Sequence, residues 1–145
     1  MFKKLRKNEK GFTLAELLIV VAIIGVLVAI SIPIFKSQLE KAREATDLAN
    51  IRSAYAECSA AVLTETEAST NTDATKGVVV TVDGTSKAVT AKRDVKLTQQ
   101  VVGWTGSNGK DVAGKDITAD TAKTVGATVE VSVDSDGTVS IKDKN

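Results

Sequence analysis

Apolar and polar positions along this chain fall into three regimes. The first is residues 12–35, FTLAELLIVVAIIGVLVAISIPIF, almost wholly apolar and without interruption from 17 to 30. As a helix this segment spans about 36 Å at ~1.5 Å per residue, close to one bilayer core. Past Phe35 the pattern becomes amphipathic. Ala45, Leu48, Ile51, Tyr55, Cys58 and Val62 recur at intervals of three and four, a helical stripe that predicts packing on a sheet. Glu40 with Glu44, and Arg43 with Asp47, fall on the polar side of that reading. Thr, Ser, Asn and Asp accumulate beyond Thr64, so the helix is expected to end near residues 65–69, about 54 residues after it begins. A helix of that length makes sense only if half of it leaves the globular body.

The third regime alternates in the manner of strands. VVVTV at 78–82 and SKAVTA at 86–91 flank Asp83-Gly84-Thr85, a hairpin signal. TVEVSV at 128–133 and TVSIK at 138–142 flank Asp134-Ser135-Asp136-Gly137, where alternation and turn chemistry agree. The stretch 94–104, DVKLTQQVVGW, fits a short helix about as well as a strand. Residues 103–126, rich in Gly, Thr, Asp and Lys, read mainly as an exposed loop with Trp104 anchoring its start. The fold class expected is α+β: one long N-terminal helix packed, by its C-terminal half, on a small antiparallel sheet.

Composition narrows the function. At 145 residues the chain has room for one ordinary domain. It has no His, which removes the commonest general acid–base group and a frequent metal ligand. Cys58 is the single cysteine, so no internal disulfide is available. No enzyme activity, cofactor or metal is expected. Aromatics are few (Phe2, Phe12, Phe35, Tyr55 and Trp104), so the head must pack on Val, Ile, Leu and Ala. Asp134-x-Asp136-Gly137 matches part of a calcium loop but lacks its third oxygen ligand and distal Glu; a hairpin turn explains it better. The formal charge is +1, unevenly spread. Lys3, Lys4, Arg6, Lys7 and Lys10 face only Glu9 in the first ten residues, and the remaining 14 basic and 17 acidic side chains give −3. No clustered basic face points to specific nucleic-acid binding. The basic N-terminus ahead of an apolar run predicts a cytoplasmic N-terminus and an external head.

Three readings of the N-terminus compete: a signal anchor; a secretory signal cut at Ala29-Ile30-Ser31; and a short basic leader, residues 1–11, removed ahead of an apolar segment that is kept. A carboxylate inside a membrane-length run costs about 2.5–3.5 kcal/mol or more, and an ordinary secretory signal has no use for Glu16. Cutting at Ser31 would also sever a helix that continues through KSQLEKAREATDLANIRSAYAE.

The string Gly11-Phe12-Thr13-Leu14-Ala15-Glu16, followed by LLIVVAIIGVLVAISIPIF, resembles the class III signal of type IV pilins. The downstream string SQLEKAREATDLANIRSAYAE is similar to pilins of Gram-positive, clostridia-like bacteria. The resemblance implies a pilin fold, cleavage by a prepilin peptidase between Gly11 and Phe12, and N-methylation of Phe12. It implies that Glu16 registers the incoming subunit against the new ammonium group, and that Gly25 and Pro33 let the helix loosen. The partners implied are other copies of the chain, the peptidase, an assembly ATPase, a membrane platform protein and, before assembly, membrane lipid. Three parts are expected: a leader at 1–11, a transmembrane and fibre-core half-helix at 12–35, and a head at 36–145. The head comprises an amphipathic half-helix at 36–67 and a sheet with loops at 68–145. The function expected is a structural subunit, a major pilin, of an extracellular fibre serving adhesion or motility. The alternatives are a monomeric membrane-anchored binding module and a pseudopilin of a type II secretion or competence system.

Overall fold

The computed structural model describes residues 11–64, 73–75, 77–106 and 110–144. The expected leader up to Lys10 and the expected helix end at 65–69 lie outside them. Two compact units are present, Met1–Ser37 and Gln38–Asn145. Helix α1 (Leu14–Leu63) supplies residues to both. Beyond Leu63 the chain turns, and the Thr64 hydroxyl donates back to the Ala60 carbonyl at 2.9 Å.

The second unit holds a four-stranded antiparallel sheet of β1 (Val79–Val82), β2 (Val89–Lys96), β5 (Thr128–Asp134) and β6 (Val139–Asp143), in that spatial order. A two-stranded ribbon, β3 (Asp111–Val112) with β4 (Lys115–Asp116), lies between β2 and β5 in sequence. The long central pairing runs from Thr90 opposite Asp134 to Lys96 opposite Thr128. Along β5 buried and half-buried residues alternate strictly, as a strand with one face on the core requires. That face meets α1. Leu48, Ile51 and Ala54 pack with Val95, Leu97, Val129, Val131 and Ile141, while Cys58 packs with Val80, Val89, Ala91 and Val133. Burial pushes the Cys58 thiol up to about 11, so it is a small core hydrophobe rather than a nucleophile.

The two expected hairpins form. At the first, the loop runs from Asp83 to Ala88, longer than the Asp-Gly-Thr signal, because the Asp83 carboxylate accepts N–H bonds from Thr85 (2.8 Å) and Ser86 (2.7 Å) and winds the chain before β2 begins. At the second, Gly137 takes φ +87°, and Asp136 accepts the Thr138 N–H at 2.9 Å. Asp134, one of the partial calcium-loop residues, instead accepts the Thr90 hydroxyl at 2.6 Å and so ties the turn to the sheet.

Three expectations need correction. The stretch 94–104 is neither helix nor strand throughout: its first three residues end β2 and the rest is irregular. The stretch 103–126 is not mainly an exposed loop. It carries the β3–β4 ribbon and sends Val112, Ile117, Thr121 and Ala122 into the core, with Trp104 half-buried against them and its Nε1 donating to Thr121 Oγ1 at 3.0 Å. These inward residues recur at no helical or strand period, so pattern reading passes over them.

The third correction concerns α1. Ala45 is exposed, whereas Glu40, Glu44 and Asp47, assigned to the polar face, are buried. The irregular chain from Thr98 to Gly106 explains why. Its backbone N–H groups have no ladder to join, and buried donors need acceptors. Asp47 accepts the N–H groups of Thr98 (2.8 and 2.9 Å) and Gln99 (3.0 Å) together with the Thr98 hydroxyl (2.9 Å). Glu40 takes those of Gln100 (2.5 Å) and Val101 (2.8 Å). Glu44 takes those of Thr105 and Gly106, each at 2.8 Å. Positions 40, 44 and 47 lie one turn apart on one side of the helix, so three carboxylates receive one loop. Burial by itself would raise the Glu44 carboxyl. The bonds from Thr105 and Gly106, with the charge of Lys110, outweigh it and hold the group below its ordinary value.

Ile51→Ala, at a side chain with no solvent exposure, should cost about 2–5 kcal/mol in thermal or urea unfolding followed by Trp104 fluorescence. Asp47→Ala strands buried donors and should cost about 2–4 kcal/mol by the same measurement. The Glu44 contribution is present above its ordinary value of 4.5 and is lost as the pH falls through the lower folded value. Glu44→Gln should therefore be less stable than wild type at neutral pH, and the gap should narrow as the pH falls below 4.5 and through the lower folded value.

Candidate functional site

The N-terminal unit presents the sequence-predicted site residues along one helix and its entry. Gly11, Phe12 and Thr13 precede α1 outside any regular element, and all three are exposed, Phe12 at 84%. Thr13 is the cap. Its Oγ1 accepts the Glu16 N–H at 3.2 Å, while Glu16 Oε2 accepts the Thr13 N–H and hydroxyl, both at 2.8 Å. This is a reciprocal capping box, which satisfies donors that the first helical turn leaves open. Sequence reading assigned Glu16 to charge pairing and passed over Thr13, although Thr-x-x-Glu ahead of an apolar run is a readable capping signal.

The carboxylate therefore already has a local use in the uncut chain, where the Phe12 nitrogen is an uncharged amide. Cleavage before Phe12 would create an ammonium group four residues from Glu16. That group would compete with Thr13 for the same oxygens, and charge-assisted bonds are the stronger kind. Gly25 lies inside α1, apart from the capping box in sequence, and a Cβ there would meet nothing within 4 Å. Among the described residues, its small size therefore serves no close contact. Pro33 also lies inside α1, which continues through it. Two residues earlier the Ser31 hydroxyl donates to the Leu27 carbonyl at 2.7 Å, a back-bond that often accompanies helix bending.

Between Phe12 and Phe35 sixteen large apolar side chains are exposed. The helix is long and apolar enough to cross a membrane, by length and composition. Among the described residues no group of three or more Cys, Asp or Glu side chains is arranged to hold a metal ion.

The family model for the prokaryotic N-terminal methylation motif matches residues 6–32. Fimbrial protein EcpB of Eikenella corrodens is 53% identical over 36 residues, which is 25% of this chain and 23% of that protein. The type IV narrow pilus major component PilA5 of Thermus thermophilus is 52% identical over 52 residues, 34% of this chain and 45% of that protein. These two matches span less than half of the relatives' length. The type IV major fimbrial protein FimA of Dichelobacter nodosus is 30% identical over 143 residues, covering 93% of this chain and 71% of that protein. No solved structure matches the chain. With an N-terminal methylation motif, a long helix on a four-stranded antiparallel sheet, and a relative aligned over nearly its whole length, the chain belongs to the type IV pilin family.

Proposed function

We propose that this protein is the structural subunit, a major pilin, of a type IV pilus. It is held in the membrane as a precursor with its N-terminus in the cytoplasm, cut between Gly11 and Phe12 by a prepilin peptidase, N-methylated at Phe12, and built into an extracellular fibre by an assembly ATPase and a platform protein. One observation carries this reading: the exposed apolar surface of residues 12–35. Each such side chain is worth about 1.5–3 kcal/mol when removed from water, so sixteen of them outweigh the whole stability of an ordinary domain. A surface of that size needs either lipid or other chains around it. In lipid the first need is met, and packing against other copies in a fibre core meets the second. The gain on leaving lipid is smaller than from water, so close packing and a charge pair at Glu16 have to contribute. Gly25 and Pro33 supply the places where the helix between them loosens under load. Adhesion and motility follow from the fibre.

Two measurements test the reading. The intact mass of the surface protein should correspond to a chain beginning at methylated Phe12. A chain beginning at Met1 would indicate a monomeric anchored module, and one beginning at Ile32 a secreted protein. Substitution at Glu16 separates charge from cap. Glu16→Gln keeps the capping geometry but not the charge, whereas Glu16→Ala loses both. Both variants should insert normally and give about tenfold fewer fibres or less than that, as loss of one buried charge pair predicts. Wild-type fibre yield from Glu16→Gln would reduce Glu16 to its capping role.

A further inference from the structure

The head carries a small cavity of about 120 Å³ between α1 and the irregular chain around Trp104. Lys41, Ala45 and Leu48 line it from one side of the helix, at i, i+4 and i+7, and Trp104 and Lys110 line it from the opposite wall. Its polar groups already have partners. Glu44 accepts the N–H groups of Thr105 and Gly106, Lys110 Nζ donates to the Trp104 carbonyl at 2.8 Å, and Trp104 Nε1 donates to Thr121. What is left to offer is the apolar surface of Ala45, Leu48 and Trp104, and one charge. Lys41 is exposed, and among the described residues it has no hydrogen-bond or ion-pair partner. An apolar cavity of about 150 Å³ admits benzene, so this one has room for a single aliphatic side chain. The group that fits is aliphatic, with a carboxylate beside it.

The chain itself supplies one such group. Outside residues 12–35, the exposed large apolar side chains among the described residues are Leu39, Leu63, Val82, Val101, Val102 and Val125. Of these only Val82, 50% exposed at the end of β1, adjoins an exposed carboxylate, that of Asp83. The carboxylate next to Leu39, Glu40, is buried and occupied by the loop. The tip that carries Val82 is ordered in advance. Asp83 donates its N–H to the Ala88 carbonyl and accepts the Lys87 N–H, both at 2.9 Å. Its carboxylate takes the N–H groups of Thr85 and Ser86 through Oδ1 alone, so neither bond uses Oδ2. A preformed tip loses little freedom on docking. Lys87 lies in the same loop, so the fit rests on Asp83 adjoining Val82 and not on the loop's net charge.

Val82 does not line the cavity of its own head. A contact between tip and cavity in two copies is therefore heterologous: each copy offers its tip to one neighbour and its cavity to another. Contacts of that kind propagate into rings or helical filaments instead of closing a dimer. We propose that Val82 of one subunit seats in the Ala45–Leu48–Trp104 cavity of a second copy, with Asp83 beside Lys41. The contact presupposes the fibre of the proposed function and deepens it by naming a surface between heads. One aliphatic side chain and one exposed ion pair give little affinity alone. Subunits already gathered by their apolar helices meet that surface at high effective concentration, where a weak contact is enough.

The test uses the full-length chain assembled in cells. Val82→Cys is combined with Ala45→Cys, or with Lys41→Cys as a second pair, and sheared fibres are treated with a short bis-maleimide. Cys58 is buried and stays out of the reaction. Each pair should give a ladder of dimers, trimers and higher products on a denaturing gel, because every subunit carries both halves of the contact, and the single variants should give none. Lys41→Glu sets a like charge beside Asp83 and should lower the recovered fibre about threefold; adding Asp83→Asn, which keeps the oxygen that Thr85 and Ser86 use, should restore it. Fibres that form in normal amount but run as monomers would overturn the contact and leave the pilus reading standing. Dimers from Val82→Cys alone would overturn it too, since tip would then meet tip. A Lys41→Glu loss that Asp83→Asn does not relieve would remove Asp83 as the partner of Lys41. A wild-type chain that yields no fibres would overturn the pilus reading, and the contact with it.

Discussion

Three carboxylates on one side of α1 determine the shape of the head. A core built from Val, Ile, Leu and Ala, without a disulfide, has little with which to hold a long irregular connection. The connection from Leu97 to Gly106 is held instead by Glu40, Glu44 and Asp47, each accepting the N–H groups of two successive residues. Once that loop is in place, Leu97 and Trp104 at its two ends can pack, and the chain beyond it can deliver Val112, Ile117 and Ala122 to the core. Buried carboxylates are expensive unless their oxygens are occupied. Here the partners are backbone groups that would themselves be costly to bury alone, so each side of the contact removes the other's penalty.

Glu16 and Glu40 show how one residue type serves the start and the middle of one helix. Glu16 is exposed, and its oxygens close the first helical turn through Thr13. Glu40 is buried, and its oxygens carry a loop about sixty residues away in sequence. The apolar run between them has no charged side chain from Leu17 to Phe35. Its surface stays exposed, while the packing that makes a folded head begins only where the carboxylates turn inward.

How much was readable beforehand varies with the range of the interaction. The long helix, the two hairpins and the α+β class follow from local rules, namely unbroken hydrophobicity, alternation and turn residues such as Asp83 and Gly137. The same holds for the methylation motif, a contiguous string. The capping box at Thr13 and Glu16 is equally local, a Thr-x-x-Glu string ahead of an apolar run.

What the sequence by itself determined is therefore the helix, the strands and the apolar surface that calls for lipid or a neighbour, because each is written in residues close together. Only the tertiary structure decided that Glu40, Glu44 and Asp47 face inward, that Ala45 faces out, and that residues 103–126 supply part of the core. The physical reason is that a carboxylate's place depends on what it meets. On a helix considered alone water is the best partner for all three. Against a loop with unpaired N–H groups, reached across some fifty to sixty residues of chain, the buried side becomes the better one.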